Sequence, residues 1–225
     1  MSVKKCLPQE GLKLIACVTM LLDHIGAVLT GNLLLRLIGR ISFPIFCFLL
    51  VQGIRHTHNP KKYLFRLGIF AALSELPYDL MCYGKCTMAG QSVMLTLLLG
   101  AVMLLLFDRY QKPVFRVVCL LALGVLAHIL RCDYGYRGIL LIALFYLTDR
   151  PLVQLVGMVF ISLISSGAVQ IFGVLIPVQL FGIFALIPIC LYTGQKRIYH
   201  PVVQWLFYIF YPAHMLVLFV MKICT

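Results

Sequence analysis

Lys13 and His24 stand eleven residues apart within one apolar run. On an α-helix that spacing is three turns, which puts both side chains on nearly one stripe, about 16 Å apart along the axis. A histidine there can act as a general base, and a lysine there can hold an anionic donor. Further ionisable residues interrupt other apolar runs: Asp23, Arg40, Glu75, Asp79, His128, Asp133 and His214. A charge at bilayer depth is costly and faces a bundle interior or a water-filled cavity. Adjacent helix positions diverge by about 100°, so Asp23 does not orient the ring next to it in sequence. The expected partner of His24 is a carboxylate from another helix, Glu75, Asp79 or Asp133, which would fix its tautomer and stabilise the imidazolium. Asp23 is free to pair with Arg40. Arg40 or Tyr78 would stand near a developing oxyanion, and Tyr78, His128 and His214 are the groups an acceptor would meet. The plainer reading of the same residues is a set of buried ion pairs that hold helices together.

The elements that must position these groups are membrane helices. The chain has 225 residues, of which 62% are hydrophobic and 12% charged, with a mean hydropathy of +1.02. Soluble domains are about half apolar and a quarter charged. Soluble, disordered and disulfide-scaffold classes are excluded. At about 20 apolar residues per span, the length accommodates roughly nine. Breaks at charged or Gly/Pro-rich stretches place them at 11–30, 33–54, 62–82, 92–107, 114–131, 137–149, 152–169, 173–192 and 201–222. The first span is too long and begins too polar for a cleaved leader, so residues 1–225 read as a single integral membrane domain, an all-α polytopic bundle.

The net charge of +12 is explained by where the cations lie, so nucleic acid is not an expected partner. With the N-terminus in the cytoplasm, 13 of the 19 Lys and Arg residues fall at cytoplasmic ends: Lys4, Lys5, Lys13, Arg55, Lys61, Lys62, Arg66, Arg109, Lys112, Arg116, Arg150, Lys196 and Arg197. Arg36, Arg40, Lys85, Arg131, Arg137 and Lys222 fall on the far side. The positive-inside rule therefore predicts N-in and C-out. In that orientation most of the buried ionisable groups lie in the outer half, in an expected polar chamber.

Lys13 with Arg55, Lys61, Lys62 and Arg66 would form a basic inner mouth. A phosphate-bearing carrier such as acyl-CoA fits it, its nucleotide at the mouth and its long arm threaded towards His24; a lipid headgroup is the competing occupant. Four cysteines, Cys17, Cys47, Cys119 and Cys190, sit in apolar runs as small hydrophobes. Cys82 and Cys86 in CYGKC have no nearby histidine, and no metal site is expected.

The segments LKLIACVTMLLDHIGAV (12–28), LIGRISFPIFCFLLVQGIRHTHNPKKYLFRLGIF (37–70), SELPYDL (74–80), DYGYRGILLIALFYL (133–147) and YPAHMLVLF (211–219) resemble the TraX family in order and along nearly the whole chain. Its named member is the conjugative pilin acetyltransferase, and the family resembles the wider membrane acyltransferases that carry R-x10-H on their first helix. The resemblance implies a transmembrane acyltransferase architecture in the bacterial cytoplasmic membrane. It implies transfer of an acyl group, acetyl by preference, from acetyl-CoA or another cytosolic acyl-CoA to a hydroxyl or amine of an extracytoplasmic glycan, lipid or protein. Lys13 stands where the wider class has arginine, which keeps the charge and loses the bidentate fork. The alternative from the residues alone is a proton-coupled transporter or ion-binding membrane protein that uses the same Asp, Glu and His groups as relays.

Overall fold

The computed structural model describes residues 5–165, 167–171, 174–195 and 201–224; Lys4, Lys196 and Arg197 lie outside the described residues. Helix α1 (Gln9–Ile25) runs on through one π-helical turn, Gly26–Thr30, and stops at Gly31, whose φ of 64° suits a residue without Cβ. Asn32 then caps α2 (Leu33–Gly39) by accepting from Leu34 N–H at 2.9 Å. The expected single helix over 33–54 is broken. Pro44 has no amide to offer the Arg40 carbonyl, so Arg40 and Ile41 tighten into turns that donate to Leu37 and Ile38 before α3 (Ser42–His56) begins.

Helix α4 (Pro60–Tyr83) opens on Pro60 with Asn59 as its cap and closes on Gly84 at φ 70°. It is followed by α5 (Val93–Arg109), α6 (Pro113–Ile129), α7 (Gly135–Leu147) and α8 (Pro151–Leu163). The last two expected spans before the C-terminal helix are shorter than their apolar runs. A hairpin of β1 (Ala168–Ile171) and β2 (Val174–Pro177), antiparallel with Ala168 opposite Pro177, takes up what was read as helix at 168–169 and 174–177. A 3₁₀ helix (Val178–Ala185) and the short α9 (Leu186–Cys190) follow, and α10 (Pro201–Cys224) is the last element. Among the described residues the regular structure is helical apart from that hairpin.

Loops gather alternately at two ends. At one, Leu7 pairs with Tyr192 and Arg55 reaches Asp149; at the other, Gln91 pairs with Cys132 and Lys222 donates to the Met81 carbonyl. These are called the Lys13 end and the His24 end below. Helix α10 packs on α4 and α1, and α3 and α5 pack on α7. Phe107, Phe145, Leu12, Ile45 and Met103 are fully enclosed between them. The outward faces are apolar as well: Phe65 is 71% and Phe160 67% exposed, with Leu121, Val156 and Val217 alongside. A surface of that kind belongs in lipid. By length and apolar composition, Gln9–Thr30, Leu33–His56 and Trp205–Cys224 can each cross a membrane, and four shorter apolar helices accompany them.

Candidate active site

The α1 stripe connects a cavity to a pair of histidines. The cavity, about 180 Å³, lies between α1, α3, α4, α5 and α10. Lys13 and Arg66 border it at the Lys13 end; Met20, Met94 and Tyr211 line it towards the middle. Lys13 Nζ lies 5.3 Å from the centre of the Phe207 ring, and the Arg66 guanidinium lies 5.0 Å from Tyr208 and 5.5 Å from Tyr63. Arg66 Nε is buried without a hydrogen-bond partner among the described residues. A planar cation held on ring faces with an idle N–H is suited to an incoming phosphate. Gly53 makes the space possible, because a Cβ there would stand 2.7 Å from the Tyr63 hydroxyl.

The other expected mouth residues are elsewhere. Arg55 donates to Asp149 at 2.8 Å and to the Tyr146 carbonyl at 2.7 Å, which ties the last turn of α3 to the end of α7 and the loop after it. Lys61 and Lys62 are exposed in the first turn of α4 and do not line the cavity.

His24 lies one turn beyond Met20, about 6 Å further along α1. Its ring partner is a histidine. His24 Nδ1 and His214 Nε2 are 2.8 Å apart, and His214 Nδ1 lies 2.8 Å from the Phe210 carbonyl. A carbonyl only accepts, so His214 carries its proton on Nδ1 and presents a lone pair at Nε2. His24 Nδ1–H donates to that lone pair, and His24 Nε2 is left unprotonated, as a base must be. His214 is 6% exposed and is stacked on Phe210 at 4.9 Å, which fixes its plane. Its ring also meets Tyr211, a residue of the cavity wall, at 5.8 Å.

The expected carboxylate partners are engaged in the frame. Glu75 accepts from the Ser92 N–H at 3.1 Å and from its hydroxyl at 2.7 Å, which places a carboxylate on the N-terminus of α5. Asp79 accepts from the Thr87 N–H at 2.8 Å and pins the loop after α4. The side chain of Asp133 is exposed, in a turn whose backbone donates to Gln91. Asp23 pairs with Arg40 Nη2 and lies 3.6 Å from Arg36 Nε. Arg40 is 8% exposed and spends its Nε on the Arg36 carbonyl. Gly39 permits this, since a Cβ there would fall inside Asp23. Tyr78 packs edge-on against Tyr83, and His128 is exposed at the far side of α6 beside Tyr136. Where the sequence suggests that these carboxylates face His24, Asp23 is paired with arginines and Glu75 and Asp79 are turned onto the α4–α5 connection.

The described cysteines are free thiols, and burial, with the Glu75 carboxylate nearby, pushes the Cys132 thiol up to about 11. Among the described residues no cluster of three or more His, Cys, Asp and Glu side chains can hold a metal. Phe207, Tyr208 and Tyr211 went unread in the sequence as cavity residues. Their i, i+1, i+4 spacing on one helix face was the available signal.

Fold and site together define a helical protein built for a membrane, with a cavity leading towards a histidine pair. The model of the TraX protein family matches residues 8–222, and the chain belongs to that family. It is 27% identical over 236 aligned positions to the probable fimbrial assembly protein FimC, serogroup H1, of Dichelobacter nodosus, with 92% of each chain covered. It is 39% identical to an uncharacterized protein of Rickettsia prowazekii (strain Madrid E) over 62 positions, which cover 27% of this chain and 24% of that one. No solved structure matches.

Proposed function

We propose that the protein is a multi-pass membrane acyltransferase, one integral unit of the cytoplasmic membrane with its N-terminus in the cytosol. It takes an acyl group, acetyl by preference, from a cytosolic acyl-CoA and passes it to a hydroxyl or amine of an extracytoplasmic acceptor. The observation that carries this reading is the cavity bordered by Lys13 and Arg66 that extends along the α1 stripe to within a turn of His24. Its polar border suits the phosphates of the carrier, and its apolar wall suits a narrow acyl-bearing arm.

The chemistry needs only the carrier, the acceptor and a base. The acceptor O–H or N–H attacks the thioester carbonyl carbon while His24 Nε2 removes its proton. The tetrahedral intermediate then breaks its C–S bond, and the departing sulfur takes the proton back from His24. His214 accepts from His24 Nδ1–H throughout and holds the ring in the basic tautomer. Arg40 and Asp23 are positioning residues: their mutual pair fixes the end of α1 at His24. The family resemblance to a pilin acetyltransferase agrees with this chemistry, and the relative named for fimbrial assembly makes a surface protein subunit a reasonable acceptor to try.

The test is an assay with radiolabelled acetyl-CoA supplied to one face of sealed vesicles. Label should bind or be turned over from the face that carries the Lys13 end, and acetyl-CoA on the opposite face should have no effect. A protein that moves protons or ions across the same vesicles and does not bind acetyl-CoA from either face would be the transporter instead.

A further inference from the structure

The six cations placed against the positive-inside bias do not all have the same reason to be at the His24 end. Arg36 and Arg40 hold Asp23, Lys222 donates to the Met81 carbonyl at 3.4 Å, and Lys85 is exposed in the loop after α4. Arg131 and Arg137 instead converge on one groove. It has a volume of about 390 Å³, lies between the α6–α7 turn and the end of α8, and is lined by both arginines together with His128, Tyr136 and Ile164. No carboxylate lines it, and neither arginine has a carboxylate within ion-pair distance among the described residues.

The groove is held rigidly. Gln91 N–H donates to the Arg131 carbonyl at 3.0 Å, and its own carbonyl accepts from Asp133 N–H at 3.0 Å, so the turn is clamped from both sides. Arg131 has φ 54°, a conformation that glycine adopts without cost and other residues adopt under strain. An arginine thus stands where the backbone favours glycine, on the side of the bundle where cations are disfavoured. Arg137 rests on the Tyr136 ring at 5.7 Å and also borders the adjoining pocket with Asp133 and Tyr134. That pocket continues between α3, α7 and α8, along Phe43, Leu141 and Met158.

We infer that this groove is the acceptor's anchoring site and that it recognises a phosphate group, with Arg131 and Arg137 as the binding side chains. The inference rests on the acyltransferase reading only for the word acceptor; the binding of the anion stands by itself. The two arginines supply the fork geometry that suits a phosphate, and the exposed His128 adds an imidazole N–H.

The experiment is native mass spectrometry of the full-length protein in detergent, with equal amounts of phosphatidylglycerol and phosphatidylcholine, repeated with inorganic phosphate as competitor. The protein should retain phosphatidylglycerol over phosphatidylcholine, and the Arg131→Gly, Arg137→Gln double variant should retain at least about tenfold less, since tenfold is the effect of losing just one of its two charge-assisted contacts. Arg131→Gly relieves the backbone at that turn, and acetyl-CoA binding on the same samples reports whether the double variant is folded. Competition by inorganic phosphate would show that the free anion suffices; retention without competition would show that the lipid headgroup is the source. Equal retention of the two lipids, or unchanged retention in the double variant, overturns the inference. Acetyl-CoA binding, measured on the same samples, should be unchanged by both substitutions because its cavity is at the other end. Failure of wild-type protein to bind acetyl-CoA would count against the acyltransferase and leave the anion result to be read alone.

Discussion

The two ends of α1 use charge in opposite ways. At the Lys13 end, Lys13 and Arg66 border an apolar cavity and lie against aromatic rings, and Arg66 keeps a buried N–H unspent. Around the His24 end of α1 the buried charges turn to neighbours in the frame, Arg36 and Arg40 to Asp23, Glu75 to Ser92 and Asp79 to Thr87, with one oxygen each of Asp23 and Asp79 left without a hydrogen bond. A buried pair is costly to separate, because opening it strands each charge. A cation held on a ring face gives up less when an anion arrives. The contrast separates a place where a ligand enters from a frame that must not move, with the neutral histidine pair between them.

Substitutions sharpen that division. The largest effect should fall on the histidines. His24→Ala should express normally and lose at least about a hundredfold in transfer rate, the lower range for removal of a general base. His214→Ala leaves the base in place and frees its tautomer, and the rate should fall by about tenfold to a hundredfold, the scale on which groups that orient a functional imidazole act. Full activity in either alanine variant would break the base assignment.

At the cavity, Arg66→Gln and Lys13→Gln should each weaken acetyl-CoA binding by about 1 to 3 kcal/mol, the scale of a charge-assisted hydrogen bond. Arg55→Gln, which removes a partly exposed loop tie, should leave that affinity unchanged and cost less than about 1 kcal/mol of stability. A binding titration of the three variants side by side decides whether the basic residues act as a mouth or as separate parts.

The frame should answer in stability and not in affinity. Glu75→Gln leaves Ser92, which is 0% exposed, with a weaker acceptor at the start of α5, and should cost about 1 to 2 kcal/mol. Thermal unfolding in detergent reads the loss, while acetyl-CoA affinity should stay as it was. An affinity that fell with the stability would show that the two regions are coupled.

Much of the frame was legible from local chemistry. Pro60, Pro113, Pro151 and Pro201 each open a helix at the Lys13 end, where a missing N–H costs nothing, and they coincide with the basic loops that set the charge bias. The Asp23 and Arg40 pair followed from the divergence of adjacent helix positions. Two features were not legible. His24 and His214 are 190 residues apart, and no local pattern distinguishes a histidine that partners a ring from one that faces lipid. Glu75 and Asp79 look like catalytic carboxylates by depth, and only the return of the α4–α5 loop shows that Ser92 and Thr87 claim them. The eighth apolar run carries no signal that separates a 3₁₀ crossing from an α-helix, since hydrophobicity alone does not fix the turn.

The division of labour along α1 is tested most directly by a structure of the protein in a nanodisc with a non-transferable thioether analogue of acetyl-CoA. The account predicts density for the nucleotide phosphates at Lys13 and Arg66, a chain passing Tyr63 and Met20, and the sulfur within reach of His24 Nε2. Nucleotide phosphates at the His24 end, or an analogue that binds with its sulfur remote from the His24 ring, would contradict it.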